Sequence, residues 1–130
     1  MIVCDTNVLV FDVLGDKRLS ATARRALDRG EASGDLACSD VSLWEIACLI
    51  ANRRVRMDTD ARTAIAHILA YRELRVLPID ADIAIAASGL LAGKTDPFDR
   101  IIAATAIAHN APLISADERL HDIPGLKIIW

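Results

Sequence analysis

The chain is poor in aromatic side chains, 4% of 130 residues, and has only three cysteines and three lysines. Cys4, Cys38 and Cys48 form an odd set without metal-ligand spacing, and each sits in an apolar run, so buried thiols are expected rather than a disulfide frame or a zinc site. No apolar run approaches the ~20 residues a bilayer needs, since Glu45 and Thr105 interrupt the longest ones. The N-terminus lacks a basic n-region and meets Asp5 at once, which excludes a signal peptide and makes a cytoplasmic product, without membrane association, the expectation. Positive charge is not in surplus either: 15 basic against 18 acidic residues give a net charge of -3.

What is present describes one globular domain over residues 1–130. Apolar residues make up 53% of the chain, which excludes disorder as a dominant state. At this length roughly two thirds of the unfolded surface can be buried, so a core forms without staples. Five short runs read as buried strands: Ile2 to Cys4, Leu36 to Ser39, Arg75 to Ile79, Pro112 to Ser115 and Leu126 to Ile129. Helical patterns lie between them: Val8 to Leu14, Ala21 to Arg29 stopping near Gly30, Val41 to Arg53, Ala61 to Glu73, Ala81 to Ala92 ending at Gly93, and Pro97 to His109. Crossovers of this length exclude hairpins, so the class is α/β with a mostly parallel sheet between helices. Pro78 would cost a ladder bond in a central strand, which puts the third strand at an edge.

Open parallel sheets carry their chemistry at the carboxyl ends of strands. Asp5 ends the first run, Glu45 lies early in the helix after the second, Asp96 and Asp99 open the last long helix, and Asp117 follows the fourth run. Two carboxylates about 4 Å apart repel by roughly 4 kcal/mol at an effective dielectric near 20, so such a cluster demands a cation or protons. An oxygen-only set selects Mg²⁺ or Mn²⁺ over zinc. Each acid also has a structural reading. Asp5 suits a turn or helix cap, Asp96 an N-cap before Pro97, Asp99 the N3 position, and Asp117 the cap of a short helix near Glu118 to Leu120. Glu45 resists such a reading, because it interrupts the apolar stretch Leu43-Trp44 and Ile46-Ala47. Assigning four acids to one site leaves +1 on the remainder, with arginines grouped at Arg24, Arg25, Arg29 and at Arg53, Arg54, Arg56. These read as solvated helix faces or as phosphate contacts. Gly89 to Thr95 approximates a phosphate loop but is one residue short and ends a helix; His67, His109 and His121 have no ligand spacing.

The runs Met1-Ile-Val-Cys-Asp5-Thr6-Asn7, Ser42-Leu-Trp-Glu45-Ile, Asp96-Pro-Phe-Asp99-Arg100-Ile-Ile-Ala-Ala-Thr and Leu-Ile-Ser115-Ala-Asp117 together resemble the PIN-domain family, and within it the bacterial VapC-type toxins. The resemblance covers essentially the whole chain. It implies a three-layer α/β/α fold with a five-stranded, mostly parallel central sheet and a metal-dependent endoribonuclease acting on RNA. It also implies a homodimer and a cognate antitoxin protein. Asp5, Glu45, Asp99 and Asp117 match the acidic, metal-binding site, with Glu118 as a substitute for Asp117. Thr6, Asn7 and Ser115 match residues that hold the carboxylates, while Asp96 and Arg100 match cap and salt-bridge positions. Mg²⁺, with Mn²⁺ as a substitute, is the implied cofactor.

Two other classes remain to be separated. A receiver-type signalling domain needs an acid pair at the first strand and a lysine closing a strand, which Asp5 alone and Lys17, Lys94 and Lys127 do not supply. A catalytically silent PIN-fold binding module would not need the intact acids.

Overall fold

The computed structural model describes residues 1–90 and 95–130. Five parallel strands, β1 (Ile2–Cys4), β2 (Leu36–Ser39), β3 (Arg75–Leu77), β4 (Leu113–Ile114) and β5 (Ile128–Ile129), form one sheet in the order β3-β2-β1-β4-β5. Val3 pairs with Ala37 on one side and Leu113 on the other, so β1 is central. The chain builds outward from β1 to β3, then returns to place β4 on the other flank of β1. That reversal is where an open α/β sheet leaves a crevice.

Helices α1 (Thr6–Val13), α2 (Ala21–Ala32), α3 (Val41–Ala51) and α4 (Ala61–Tyr71) cover one face. Helix α6 (Pro97–Ala108) covers the other and carries α5 (Ala81–Gly89) on its outer side. Strand alternation produces the two cores. Cys4, Leu36, Cys38 and Ile114 point to the first, with Leu27, Ile46 and Ile68. Val3, Ala37 and Leu113 point to the second, with Ile102 and Ala106. Small residues at Ala103, Ala104 and Ala106 let α6 lie between sheet and α5.

Several boundaries differ from expectation. Helix α2 runs through Gly30 to Ala32: a Cβ at Gly30 would overlap the Leu36 side chain, so the glycine serves close helix-on-strand approach rather than a stop. The turn comes at Gly34, whose φ of 65° favours glycine. Strand β3 is the expected edge strand but ends at Leu77, before Pro78, and the Ile79 N–H donates to Asp40 Oδ2 at 3.1 Å. Helix α1 starts at Thr6 rather than Val8. Cys4 and Cys38 are buried free thiols, whereas Cys48 is only half-buried. The expected helix end at Ala92 and Gly93, and most of the Gly89 to Thr95 segment, lie outside the described residues. Among those described, no helix is long and apolar enough to cross a membrane.

Candidate active site

Because β1 and β4 are neighbours, the residues that follow them emerge side by side. Asp5 follows β1 and is 5% exposed. It occupies the N-cap position of α1, yet its side chain makes no capping bond. Its Oδ2 instead accepts a 2.6 Å hydrogen bond from Ser115 Oγ, just past β4. Burial raises the Asp5 carboxyl above its ordinary range; the Ser115 bond and the Thr6 and Asn7 amides oppose the rise, and the charge of Asp117 adds to it. Ser115 Oγ also accepts from the Asp117 N–H at 3.1 Å, so one hydroxyl ties the two acids together.

Glu45 enters from α3, on the helix turn that faces α1. Thr6 Oγ1 donates to Glu45 Oε1 at 2.6 Å and lies 2.9 Å from Ser42 Oγ, so the first residue of α1 orients the one acid of α3. Burial, then the charges of Asp5 and Asp99, push the Glu45 carboxyl up to about 7. Asp99, in the first turn of α6, is pushed up to about 6 by burial and by Asp5, Asp117 and Asp96. Neighbouring Asp96 is the N-cap of α6, as its spacing predicts: its Oδ1 accepts from the Phe98 N–H at 2.8 Å, with Pro97 at the first helical position.

Asp117 behaves differently. It caps the 3-10 helix Glu118–Asp122 and is paired by Arg119, whose Nη2 lies 2.8 Å from Asp117 Oδ2 and 3.6 Å from Asp99 Oδ2. This pairing holds the Asp117 carboxyl below its ordinary range. Glu118, the alternative fourth acid, is exposed and is absent from the mutual interactions of the cluster. Arg100 forms no ion pair among the described residues; its Nη1 donates to Ser88 O at 3.5 Å.

A cleft of about 480 Å³ opens over this rim, with Thr6, Asn7, Glu45, Asp96, Asp99 and Arg119 among its walls. Asn7 contributes an exposed side chain to that wall and makes no bond to an acid side chain. Of the basic groups, Arg54 reaches the cleft, and Arg53 and Arg56 line a neighbouring depression with Val55 and Met57. Arg24, Arg25 and Arg29 stand on the exposed face of α2, away from both.

The donor set suits a hard divalent cation. It is all oxygen, partly dehydrated, and composed of acids that raise one another's proton affinity. Among the described residues no three His, Cys, Asp or Glu side chains are close enough as placed to hold an ion. Each acid rests instead on a neighbour: Asp5 on Ser115, Glu45 on Thr6, Asp99 on Thr95 and Asp117 on Arg119. Two features escaped the sequence reading. Arg119, two residues after Asp117, is a local signal that spacing alone exposes. The contact between Trp44 and Phe98 beside the acids joins separate helices and has no local signal.

An all-parallel sheet with acids gathered beyond the carboxyl ends of its central strands belongs to the open α/β class, whose ligand crevice lies where the strand order reverses. This chain belongs to the PIN-domain family, whose model matches residues 2–126. It is 28% identical, over 132 aligned positions, to ribonuclease VapC22 of Mycobacterium tuberculosis, with 99% of this chain and 98% of that protein covered. Among solved structures it is similar to VapBC2 from Rickettsia felis, bound to a promoter DNA fragment, with a TM-score of 0.73 at 21% identity, covering 98% and 97% of the two chains. It is also similar to a toxin-antitoxin complex from Klebsiella pneumoniae, with a TM-score of 0.64 at 25% identity, covering 97% and 95%.

Proposed function

We propose that the protein is a Mg²⁺-dependent endoribonuclease, with Mn²⁺ able to substitute, and the toxin of a type II toxin-antitoxin pair. The observation that carries this reading is the convergence of Asp5, Glu45, Asp99 and Asp117 from four segments, three of them with carboxyls raised by burial and mutual repulsion. The relation to a VapC ribonuclease supports it. Asp5 and Asp99 would hold the ion directly, with Glu45 and Asp117 acting through water or orienting the nucleophile. When bound, the ion would polarise a phosphate oxygen of the substrate as a Lewis acid and lower the pKa of a water for in-line attack on phosphorus.

The chain's own residues do the rest. Ser115 bonds Asp5 and the backbone N–H of Asp117, and Thr6 bonds Glu45, which would orient these acids before substrate arrives. Arg54 and Arg119 offer guanidinium groups to the RNA backbone from the cleft wall. Products would carry 5′-phosphate and 3′-hydroxyl ends.

A cognate antitoxin belongs to the same proposal, as does assembly into a homodimer. The acid cleft shares Asn7, Leu49 and Arg54 with an adjoining depression that Phe11, Leu14 and Val55 make apolar and Arg18 and Arg56 make basic. A segment with an apolar stripe and acidic flanks suits the depression, and a basic side chain reaching onward would neutralise the carboxylates. Incubation of the protein with labelled RNA in Mg²⁺, against a chelator control, tests the enzyme. Chelator-sensitive cleavage is expected, while intact RNA in both arms would leave the silent binding module.

A further inference from the structure

The acid cleft has an aromatic wall. Trp44 immediately precedes Glu45 on α3, and Phe98 immediately precedes Asp99 on α6. Two separate helices therefore each present an aromatic ring next to an acid, and the two rings meet at a centroid distance of 4.6 Å and an angle of 39°. The chain has only five aromatic residues, and two of them meet at this cleft, where Phe98 also packs on the core that α6 covers.

Trp44 is nonetheless 54% exposed. A tryptophan ring can bury 150–250 Å², so leaving half of one open forgoes hydrophobic stabilisation that an inward position would supply. The ring is also constrained. Phe98 packs against it, which lowers the entropy lost when a ligand covers the open part. Besides the acids and the apolar Cys48 and Leu49, the cleft that it lines carries the polar Asn52 and two cations, Arg54 and Arg119. A flat apolar surface among guanidinium groups suits a ligand that alternates flat bases with phosphates.

We infer that Trp44, braced by Phe98, is a stacking platform for an unpaired nucleobase beside the phosphate that the acids address. The inference rests on the ribonuclease reading and adds a substrate requirement to it: the base next to the cleavage point must be free to leave its own stack. A base within a duplex is already stacked on both sides and does not offer its face. Stacking tolerates every base, so the platform selects an unpaired strand rather than a sequence.

The test uses the fluorescence of Trp44 in a Trp130→Phe protein, which leaves Trp44 as the single tryptophan. The probes are a mixed-sequence single-stranded oligoribonucleotide, the same strand annealed to its complement, and a strand with abasic positions, all added in chelator so that they remain intact. The single strand is expected to quench Trp44, and the duplex and abasic strands to leave it unchanged. Trp44→Ala should weaken single-strand binding about 5- to 150-fold, with Trp44→Phe recovering most of it and abasic binding equal in all three proteins. Melting curves of the variants verify folding.

Equal binding of the single strand by Trp44→Ala and wild type, or quenching as strong with duplex, overturns the platform and leaves the ribonuclease reading standing. A Trp44 signal that follows protein concentration without RNA also overturns it, because a second copy of the chain then covers the ring. Absence of both RNA binding and Mg²⁺-dependent cleavage would remove the ribonuclease reading itself.

Discussion

Two groups of acids in this molecule manage their charge in opposite ways. Asp12, Asp28 and Glu31 surround Arg72, which donates at 2.8 and 2.9 Å to both oxygens of Asp12, at 2.8 Å to Asp28 and at 2.6 Å to Glu31. Arg72 is 11% exposed and Asp12 3%, so that pair is a fixed interior contact tying the end of α4 to α1 and α2. Among the described residues, Asp5, Glu45 and Asp99 have no such enclosing cation. Arg119 pairs with Asp117 first and approaches Asp99 only to 3.6 Å, so burial and repulsion raise the other carboxyls. The first group is neutralised by a buried guanidinium, whereas under the proposed function the second would be neutralised by a cation from outside.

The widest separation between the two groups is expected in activity. Asp99→Asn and Asp5→Asn should each lose all measurable RNA cleavage while remaining folded, and Arg72→Met should cleave normally at a temperature where it is native. Cleavage assays paired with circular dichroism check this, and full activity of Asp99→Asn would remove Asp99 from the site.

Stability should show the reverse order. Removing Arg72 leaves the buried Asp12 carboxylate without its partner, a loss of about 3–5 kcal/mol by analogy with other broken buried pairs. The exposed partners Asp28 and Glu31 add little to that figure. Asp5→Asn relieves repulsion without changing shape, so its metal-free Tm should equal or exceed that of wild type. A lower Tm would favour a purely structural Asp5.

Added cation should act on the cleft group alone. Mg²⁺ at about 100 times its Kd stabilises the native state by roughly 2.7 kcal/mol if it ignores the unfolded chain. Wild type and Arg72→Met should show that shift in Tm, and Asp5→Asn a smaller one. Equal shifts in all three would mean that Asp5 is no ligand.

Asp96 lies between the two categories, an acid beside the site that serves a helix. Asp96→Ala should cost about 1 kcal/mol as a lost N-cap and spare cleavage. Loss of cleavage at unchanged Tm would move Asp96 into the site.

The pH dependence sharpens the contrast further. The unfolded chain ionises Glu45 and Asp99 near 4.5 and 3.8, whereas the native protein does so near 7 and 6. Between those values the native state binds more protons than the unfolded state, so their contribution to stability falls as pH rises from about 4 to about 7. Asp16 and Asp117, held below the ordinary range, act in the opposite sense only at lower pH. The metal-free Tm is therefore expected to decline from about pH 4 to about pH 7. Asp99→Asn should flatten that decline, and an identical slope in the variant would show that the cleft carboxyls do not cause it.

Much of this was legible because the relevant physics is local. Strand alternation at Val3-Cys4, Leu36-Ala37-Cys38 and Leu113-Ile114 assigns side chains to two faces over two residues. The Asp96-Pro97 start of α6 is complete within three residues. Glu45 was conspicuous because an acid inside an apolar helix has a cost wherever that helix packs. The edge position of β3 was expected from Pro78 and holds, although the strand stops at Leu77 before reaching the proline.

What the local pattern could not determine was which of two open roles a residue takes when its partner is far away in the chain. Asp5 had the spacing of a helix cap and became a partner of Ser115, 110 residues distant. Gly30 had the look of a helix stop, yet the approach of Leu36 makes it a packing position inside α2. Arg72 had no visible role until α1, α2 and α4 packed together around it, bringing Asp12 to it from 60 positions away. The sequence by itself determined periodicity, caps and the supply of acids at strand ends, since those depend on neighbours within about one helical turn. Asp117 meets its guanidinium two residues away, at Arg119. Whether an acid meets a distant one, as Asp12 does, or stays raised, as Glu45 and Asp99 do, only the tertiary structure decided, because that depends on how helices pack across the sheet.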